Sequence, residues 1–172
     1  MIELDAISGP DRSKSQDLDE IDVGLIALLQ QDGRTPLTDL GAKLGVSHGT
    51  VRNRLDRLVK QQVIKIIAVV DPARVGLSTL VYIGINADLK DIETIEEQLS
   101  RFPEVNYVST MSGQFDFLVG AVFASDAHLR EFLIRKLSKV RGIRSTETLH
   151  VLNLVKRVWQ WKVPVSTDEQ PL

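Results

Sequence analysis

Apolar residues recur at helical spacing in three consecutive segments near the start of the chain. Ser47 can cap the third helix, which is expected to run to about Gln61. Gly33 and Gly45 are expected to end the first two. Gly45 and Ser47 are only two residues apart, and so short a Gly-containing turn between the second and third helices predicts a helix-turn-helix. The apolar positions expected to face its core are Ile21, Leu25, Leu28, Leu29, Leu37, Leu40, Leu44, Val51, Leu55 and Leu58.

The pattern changes from helical to extended after the third helix. Residues 63–70 are rich in β-branched side chains and predict a strand or short hairpin, which would make the helical domain a winged helix. The chain then predicts strand, helix, strand, strand, helix and strand over 79–87, 91–101, 105–111, 115–123, 126–139 and 146–155. This βαββαβ order predicts a ferredoxin-like antiparallel sheet with both helices on one face, so the fold class is α+β.

These patterns divide the chain into five parts. We expect a mobile extension over 1–18, a helix-turn-helix domain over 19–70, a linker over 71–77, a ferredoxin-like domain over 78–157 and a C-terminal extension over 158–172. Apolar residues fall on both faces of the predicted last strand, which indicates a sheet covered by a second subunit, and therefore a homodimer.

The C-terminal extension alternates, with Trp159, Trp161 and Val163 on one side. Two large aromatic side chains on a free strand favour association, so the extension is expected at an interface within or between dimers. The alternative is that it folds back on its own sheet.

Composition narrows the class of protein. The 172 residues are 43% apolar and 26% charged, which fits one or two small soluble domains. The absence of cysteine excludes disulfides and thiolate chemistry, and is typical of a reducing compartment, with the cytoplasm as the default. Residues 1–17 lack the pattern of a signal peptide, and no apolar stretch approaches the length of a membrane helix, so neither export nor membrane insertion is expected.

Charge is unevenly distributed along the chain. The net charge is −2, yet the stretch from Arg34 to Lys65 holds seven basic and two acidic residues. On the third helix Arg52 suits guanine edges and Asn53 suits adenine, whereas the other basic residues suit phosphates. The alternatives are a merely solvated face and, for Arg54, an ion pair with an acid of the first helix. The candidate DNA-binding residues are Ser47, His48, Gly49, Thr50, Arg52, Asn53, Arg54, Arg57 and Lys60.

A second group of polar residues falls at one end of the predicted sheet. Gly113 permits a tight turn, and Asp116 can present a carboxylate to a ligand amine or satisfy amides of the turn. Thr146, Thr148 and His150 share one face of the last strand. The histidines are too far apart in sequence for a metal site, and no catalytic motif is present, so neither a metal nor an enzymatic activity is expected.

Several short motifs of the chain occur together. They are Leu18-Asp19-Glu20-Ile21-Asp22, Leu28-Leu29-Gln30-Gln31-Asp32-Gly33-Arg34, Leu40-Gly41, Leu44-Gly45-Val46-Ser47, Val51-Arg52-Asn53-Arg54-Leu55, Arg57-Leu58, Asp71-Pro72 and Gly76. Together they resemble the Lrp/AsnC family, the feast/famine transcriptional regulators, over roughly residues 18–157. The family usually has Gly where this chain has Gln62 and Ile66, so the end of the third helix and the wing are expected to differ.

The resemblance implies a regulator that binds double-stranded DNA and takes an amino acid or related metabolite between dimers, in assemblies such as an octamer. It implies an effector site at Ser112, Gly113, Gln114, Phe115, Asp116, Thr146 and Thr148, to which Met111 and His150 are added as neighbours on the strands. Gln114 replaces the family's first acid in Gly-Asp-Tyr-Asp or Gly-Asp-Phe-Asp, which removes a charge. Siroheme decarboxylases resemble the same architecture but are expected to carry a basic, histidine-containing stretch, whereas residues 106–110 have neither His nor Arg. A third possibility is a metabolite-binding module with a non-functional helix-turn-helix.

Overall fold

The structure is a computed structural model that describes residues 17–164. Most of the extension predicted over 1–18 lies outside these residues, as does the end of the C-terminal extension. Within residues 17–164 the chain forms two compact units, one of residues 17–68 with 158–164 and one of Val69–Arg157. None of the helices within 17–164 has the length and apolar composition needed to cross a bilayer.

The helical unit contains three helices, and the first and third begin at a side-chain cap. Asp19 caps the first helix through a reciprocal box with Asp22, and Ser47 caps the third by accepting the Thr50 N–H at 3.1 Å. Gly45 ends the second helix in the left-handed conformation, at φ 68°. The helices are α1 (Glu20–Gln31), α2 (Leu37–Leu44) and α3 (His48–Lys60).

The core of the helical unit is built from the predicted apolar positions. Leu25, Leu40, Val51 and Leu58 are fully buried, and Ile26, which the pattern missed, is buried with them. Each large aliphatic side chain so buried contributes about 1.5–3 kcal/mol. This small core therefore fixes which face of α3 is left outside.

The second unit is a four-stranded antiparallel sheet with strand order β2-β3-β1-β4, which confirms the predicted α+β, ferredoxin-like fold. Its strands are β1 (Thr79–Ala87), β2 (Val105–Thr110), β3 (Phe117–Phe123) and β4 (Ile143–His150). Its helices are α4 (Ile92–Ser100) and α5 (Asp126–Arg135), with short 3₁₀ turns at Pro72–Val75, Leu89–Asp91 and Leu137–Lys139.

Both helices of this unit pack on one face of the sheet. Alternate residues of β1 and β3, such as Ile83 and Phe117, are fully buried against Ile95 of α4 and Phe132 of α5. The opposite, open face carries half-buried Tyr82, Leu118 and Val122, together with the more exposed Tyr107 and Leu149. This unit thus has a closed core on one side and an apolar, uncovered surface on the other.

The strand or hairpin predicted over residues 63–70 was wrong. Among the described residues this stretch pairs with no strand, and Ile66, Ile67, Val69 and Val70 are all more than half exposed. β-branched residues favour an extended backbone, but a strand also requires a partner to take its hydrogen bonds. The helical unit therefore has no wing within the part of the chain that the structure describes.

The last strand begins and ends earlier than the predicted 146–155. It covers Ile143–His150, while Leu152 and Val155 lie beyond it and are almost fully exposed. The predicted two-faced alternation therefore rested partly on residues outside the strand. The alternative that the C-terminal extension folds back on its own sheet was wrong, because its described residues group with the helical unit.

A buried carboxylate holds the start of β2 to α5. Glu104 is 8% exposed; its Oε1 accepts from Lys136 Nζ at 2.5 Å and lies 3.3 Å from His128 Nε2. Burial raises the pKa of Glu104, but hydrogen bonds from Lys136, its own backbone and His128 outweigh burial and hold that pKa below its ordinary value.

This depressed pKa makes the stability of the sheet unit depend on pH. The ionised Glu104 stabilises the fold above its unfolded-state pKa of about 4.3, and this contribution is lost as the pH falls through the lower folded-state pKa. We expect wild type to be more stable than Glu104→Gln near neutral pH and the difference to shrink on acidification. Urea unfolding of both proteins from neutral to acidic pH tests this expectation. A stability difference that stays constant with pH would contradict it.

Candidate DNA-binding and effector sites

The outer face of α3 carries most of the candidate DNA-binding side chains. Val51 and Leu58 point into the core and Leu55 packs against it, which leaves Arg52, Asn53, Asp56 and Arg57 exposed. The side chains of Arg52, Asn53 and Lys60 have no hydrogen-bond or ion-pair partner within residues 17–164. Thr50 and Arg54 are partly buried, and the exposed candidates are Ser47, His48, Gly49, Arg52, Asn53, Arg57 and Lys60.

A close contact between backbones sets the approach of α3 to α2. A Cβ on Gly41 would lie 2.8 Å from the Val46 carbonyl oxygen, a distance that real Cβ atoms do not tolerate. The Val46 N–H in turn donates to the Gly41 carbonyl at 3.0 Å. Glycine at this position therefore allows the tight turn that places α3 against α2.

A cluster of four charged residues ties α3 to the start of α1. Arg54 Nη1 donates to both oxygens of Asp19, at 2.7 and 2.6 Å, and to Asp22 Oδ1 at 2.9 Å. Arg57 Nη2 also donates to Asp22, whose side chain is 1% exposed. The hydrogen bond from Arg54 and that from the Asp22 backbone keep the pKa of Asp19 below its ordinary value.

This cluster contains the ion pair that was one of the two roles left open for Arg54. Its guanidinium is engaged by Asp19 and Asp22, so it holds α3 against α1. Arg57, for which a phosphate contact was predicted, also pairs with Asp22, but its side chain is 43% exposed and reaches solvent. The sequence predicted an acid of the first helix as an alternative partner without naming it, and the structure identifies Asp19 and Asp22, which lie more than 30 residues away in the chain.

The end of α3 has a backbone shape that normally calls for glycine. Gln62 has φ 57°, in the left-handed region. Its N–H donates to the Val59 carbonyl at 3.0 Å, while the Val63 N–H donates to the Leu58 carbonyl at 2.9 Å. These two bonds form a Schellman motif, closed by packing of Val63 on the core that contains Leu58. The end of α3 was expected to differ from that of the family because Gln62 replaces glycine. In the structure α3 ends in a Schellman cap, with Gln62 in the position that glycine usually takes.

Replacing Gln62 with glycine is expected to stabilise the helical unit. An L-residue in the left-handed region costs about 1 kcal/mol that glycine avoids, so Gln62→Gly is expected to raise the melting temperature by a few degrees. The matched control is Gln61→Gly, because Gln61 has φ −81° and glycine there gains nothing. Thermal unfolding followed by circular dichroism checks both; equal shifts in the two variants would count against strain at Gln62.

The turn between β2 and β3 holds the first half of the candidate effector site. Ser112, Gly113 and Gln114 are exposed, and Met111 is 45% exposed. The carboxylate of Asp116 is directed inward, where Oδ2 accepts the Ala87 N–H at 2.8 Å and lies 3.4 Å from Arg144 Nη2. Asp116 thus satisfies the Ala87 amide, beside the irregularity in β1–β4 pairing at Asn86/Ala87. Satisfying a backbone amide was the alternative to a ligand contact for this carboxylate.

The rest of the candidate effector site is divided between the two faces of the sheet. Phe115 lies over Gly84 on the open face, where a Cβ on Gly84 would come within 2.6 Å of its ring. In contrast, Thr146, Thr148 and His150 pair with Ile85, Ile83 and Val81, whose side chains are in the helix-covered core. Paired residues of antiparallel strands project to the same side. The structure therefore separates Phe115 from the threonines.

A cavity of about 230 Å³ lies where β4 meets α5. Thr146 is the one predicted effector residue in its lining, and Arg144 is a cationic residue there that the sequence prediction missed. Arg144 lies in β4 before the predicted start at 146, so the misplaced strand boundary hid it. The full lining is Leu133, Leu137, Ser138, Val140, Ile143, Arg144, Ser145 and Thr146. Across residues 17–164, no group of three or more His, Asp or Glu side chains is placed to hold a metal ion.

Comparison with known proteins identifies this two-unit architecture. A family model described as the AsnC-type helix-turn-helix domain matches residues 18–59, and one described as the Lrp/AsnC ligand binding domain matches residues 80–158. The uncharacterised HTH-type transcriptional regulator PH0140 of Pyrococcus horikoshii is 34% identical over 84% of this chain and 92% of its own. The chain belongs to the Lrp/AsnC family.

Solved structures of the Lrp/AsnC family agree with the fold. AsnC of Escherichia coli is 27% identical, with a TM-score of 0.76 over 81% of this chain and 95% of its own. The transcriptional regulator NMB0573 of Neisseria meningitidis, solved as a complex with L-Met, is 23% identical with a TM-score of 0.77 over 86% of this chain and 96% of its own, and supports the fold alone. The protein is thus a DNA-binding transcriptional regulator of the Lrp/AsnC type.

Proposed function

We propose that α3 is the recognition helix and enters the major groove of DNA through its exposed face. The observation that supports this most is that Arg52 and Asn53 are exposed with no partner within the described chain, while Arg54 beside them is engaged. A side chain that reads a base edge needs unoccupied donors, and Arg and Asn match guanine and adenine respectively. Arg52 and Asn53 are therefore assigned to bases and Lys60 to a phosphate.

Ser47, His48, Gly49 and Thr50 lie at the N-terminal end of this helix, the end that reaches base edges in helix-turn-helix proteins. Ser47 and Thr50 are joined by a 2.9 Å hydrogen bond in the cap, so their oxygens are available only in part. Gly49 leaves room for the backbone to approach DNA. Arg54 acts as a positioning residue, and Arg57 combines that role with a phosphate contact.

A second copy of the chain is proposed to complete the regulator. Helix-turn-helix proteins read two half-sites with two recognition helices, which requires a dimer. The open face of the sheet, with Tyr82, Leu118 and Leu149, and the exposed side chains of Ile66, Ile67, Val69 and Val70 leave apolar surface for a partner. Membership of the family also implies assembly beyond the dimer, such as an octamer, and we include this in the proposal.

An amino acid is the proposed effector. The family model for residues 80–158 is a ligand-binding domain, and the related fold of NMB0573 was solved with L-Met. In this chain the cavity beside Thr146 offers Arg144 for a carboxylate and Leu133 and Leu137 for an apolar side chain. Gln114 brings no charge to the exposed turn, so the preferred ligand is expected to depend on Arg144 more than on that turn.

A gel-shift titration on the DNA upstream of the gene, repeated with each of the twenty amino acids, tests the effector proposal. At least one amino acid is expected to change the apparent affinity, and Arg144→Ala is expected to abolish that response without changing DNA binding in its absence. A response to none of them would contradict an amino-acid effector. The cytoplasmic location and the lack of enzymatic activity stay predictions.

A further inference from the structure

The chain returns to the first helix after it leaves the sheet unit. Gln30, in the last turn of α1, donates from Nε2 to the Trp161 carbonyl at 3.1 Å, and its Oε1 accepts the Trp161 N–H. Gln160 Nε2 donates to the Gln30 carbonyl at 3.0 Å. Val163 packs against the core of the helical unit. Residues 158–163 are called the strap segment below.

The contact between Gln30 and the strap segment selects one residue, Trp161. The Gln30 amide uses its donor and its acceptor on the same residue, Trp161, as a neighbouring strand would. The indoles contribute little burial, since Trp159 is 61% exposed and Trp161 is 77% exposed. The glutamine side-chain hydrogen bonds to the backbone and the half-buried Val163 therefore hold the strap segment in place.

The strap segment gives the helical unit a second connection to the sheet unit. The chain passes between the units twice, at Ala68/Val69 and again at Arg157/Val158. The second passage leads directly from β4 through residues 151–157. A helical unit held at both passages has fewer orientations to lose when it binds DNA than one held by the first passage alone.

We propose that the strap segment is a releasable tether that couples β4 to the DNA-binding helices, and that docking on Gln30 favours the DNA-competent state. The inference rests on the proposed DNA-reading role of α3. Hydrogen bonds at an exposed site contribute little net free energy, so docked and released states are both accessible. A ligand that shifts the end of β4 then has a route to bias DNA affinity, provided it binds the two states differently.

The experiment compares Gln30→Ala with Gln31→Ala in the full-length protein. Gln31 is the exposed neighbour on α1, has no described partner, and controls for the helix propensity of alanine. Hydrogen exchange at the Trp161 amide reports docking, and a DNA titration reports coupling. Gln30→Ala is expected to speed exchange at least tenfold and to weaken DNA binding about three- to tenfold, and Gln160→Ala is expected to have a smaller effect in the same direction. Gln31→Ala is expected to match wild type.

The outcomes separate the tether from the DNA-binding proposal. Unchanged Trp161 exchange in Gln30→Ala overturns docking, and faster exchange with unchanged DNA affinity overturns the coupling. Trp161 protection that disappears on dilution would mean that the strap of a second copy docks, and also overturns the tether within one chain. If wild type binds no DNA at all, the proposed function of α3 fails and the coupling fails with it.

Discussion

Replacement of Asp22 with alanine is expected to destabilise the helical unit by about 3 kcal/mol. Asp22 is 1% exposed, yet it accepts from Arg54 and Arg57 and closes the capping box with Asp19. Removing one partner of a buried ion pair leaves the other without compensation, and this loss exceeds what the intact pair contributes. The partial exposure of both arginines keeps the effect at the lower end of the range for buried pairs.

Urea unfolding followed by circular dichroism measures this loss. The control is Glu20→Ala, which removes an exposed acid from the same first turn of α1 and is expected to cost well under 1 kcal/mol. DNA affinity of Asp22→Ala is expected to fall as well, because α3 loses its fixed position against α1. Equal stability of the two variants would mean that the charged cluster does not hold the helices together.

Substitution of Arg52 with alanine is expected to remove sequence discrimination. A bidentate contact between arginine and guanine contributes about 1–3 kcal/mol, so the ratio of specific to non-specific affinity should fall about ten- to a hundredfold. The fold should be unaffected, since Arg52 is exposed and has no partner among residues 17–164. Binding to unrelated DNA should weaken much less.

Lys60→Ala provides the contrast, because a phosphate contact carries no sequence information. It should weaken binding to all duplexes alike and reduce the slope of log affinity against log salt by about 1. Lys90→Ala, an exposed charge in the sheet unit, controls for net charge alone. If Arg52→Ala and Lys60→Ala behave alike on matched and mismatched duplexes, the assignment of Arg52 to a base is wrong.

The features predicted well are those that local sequence determines. Ser47 caps α3 as predicted, because a cap depends on a side chain and an amide three residues apart. β1 has the predicted bounds, Thr79–Ala87, since an apolar run dense in β-branched residues is distinctive. The exposed positions of Arg52 and Asn53 follow from helical periodicity once Val51 and Leu58 are inside.

The features that were wrong or missed depend on distant partners. Residues 63–70 have strand propensity but no strand to pair with in the described chain. The first half of β4 contains the polar residues Ser145 and Thr146, which lie in a strand because β1 pairs with them, whereas Leu152 and the residues after it have no such ladder. No local pattern predicts that the strap segment docks on Gln30, since the contact spans about 130 residues.

The central claim is that the exposed face of α3 reads DNA sequence, and selection from a randomised duplex library tests it most directly. Wild type is expected to enrich one motif with two related half-sites about one helical turn apart, and to bind it at least a thousandfold more tightly than random duplex. Arg52→Ala is expected to enrich no defined base at one position of each half-site. Selection that yields no motif from wild type, or the same motif from Arg52→Ala, would contradict the account.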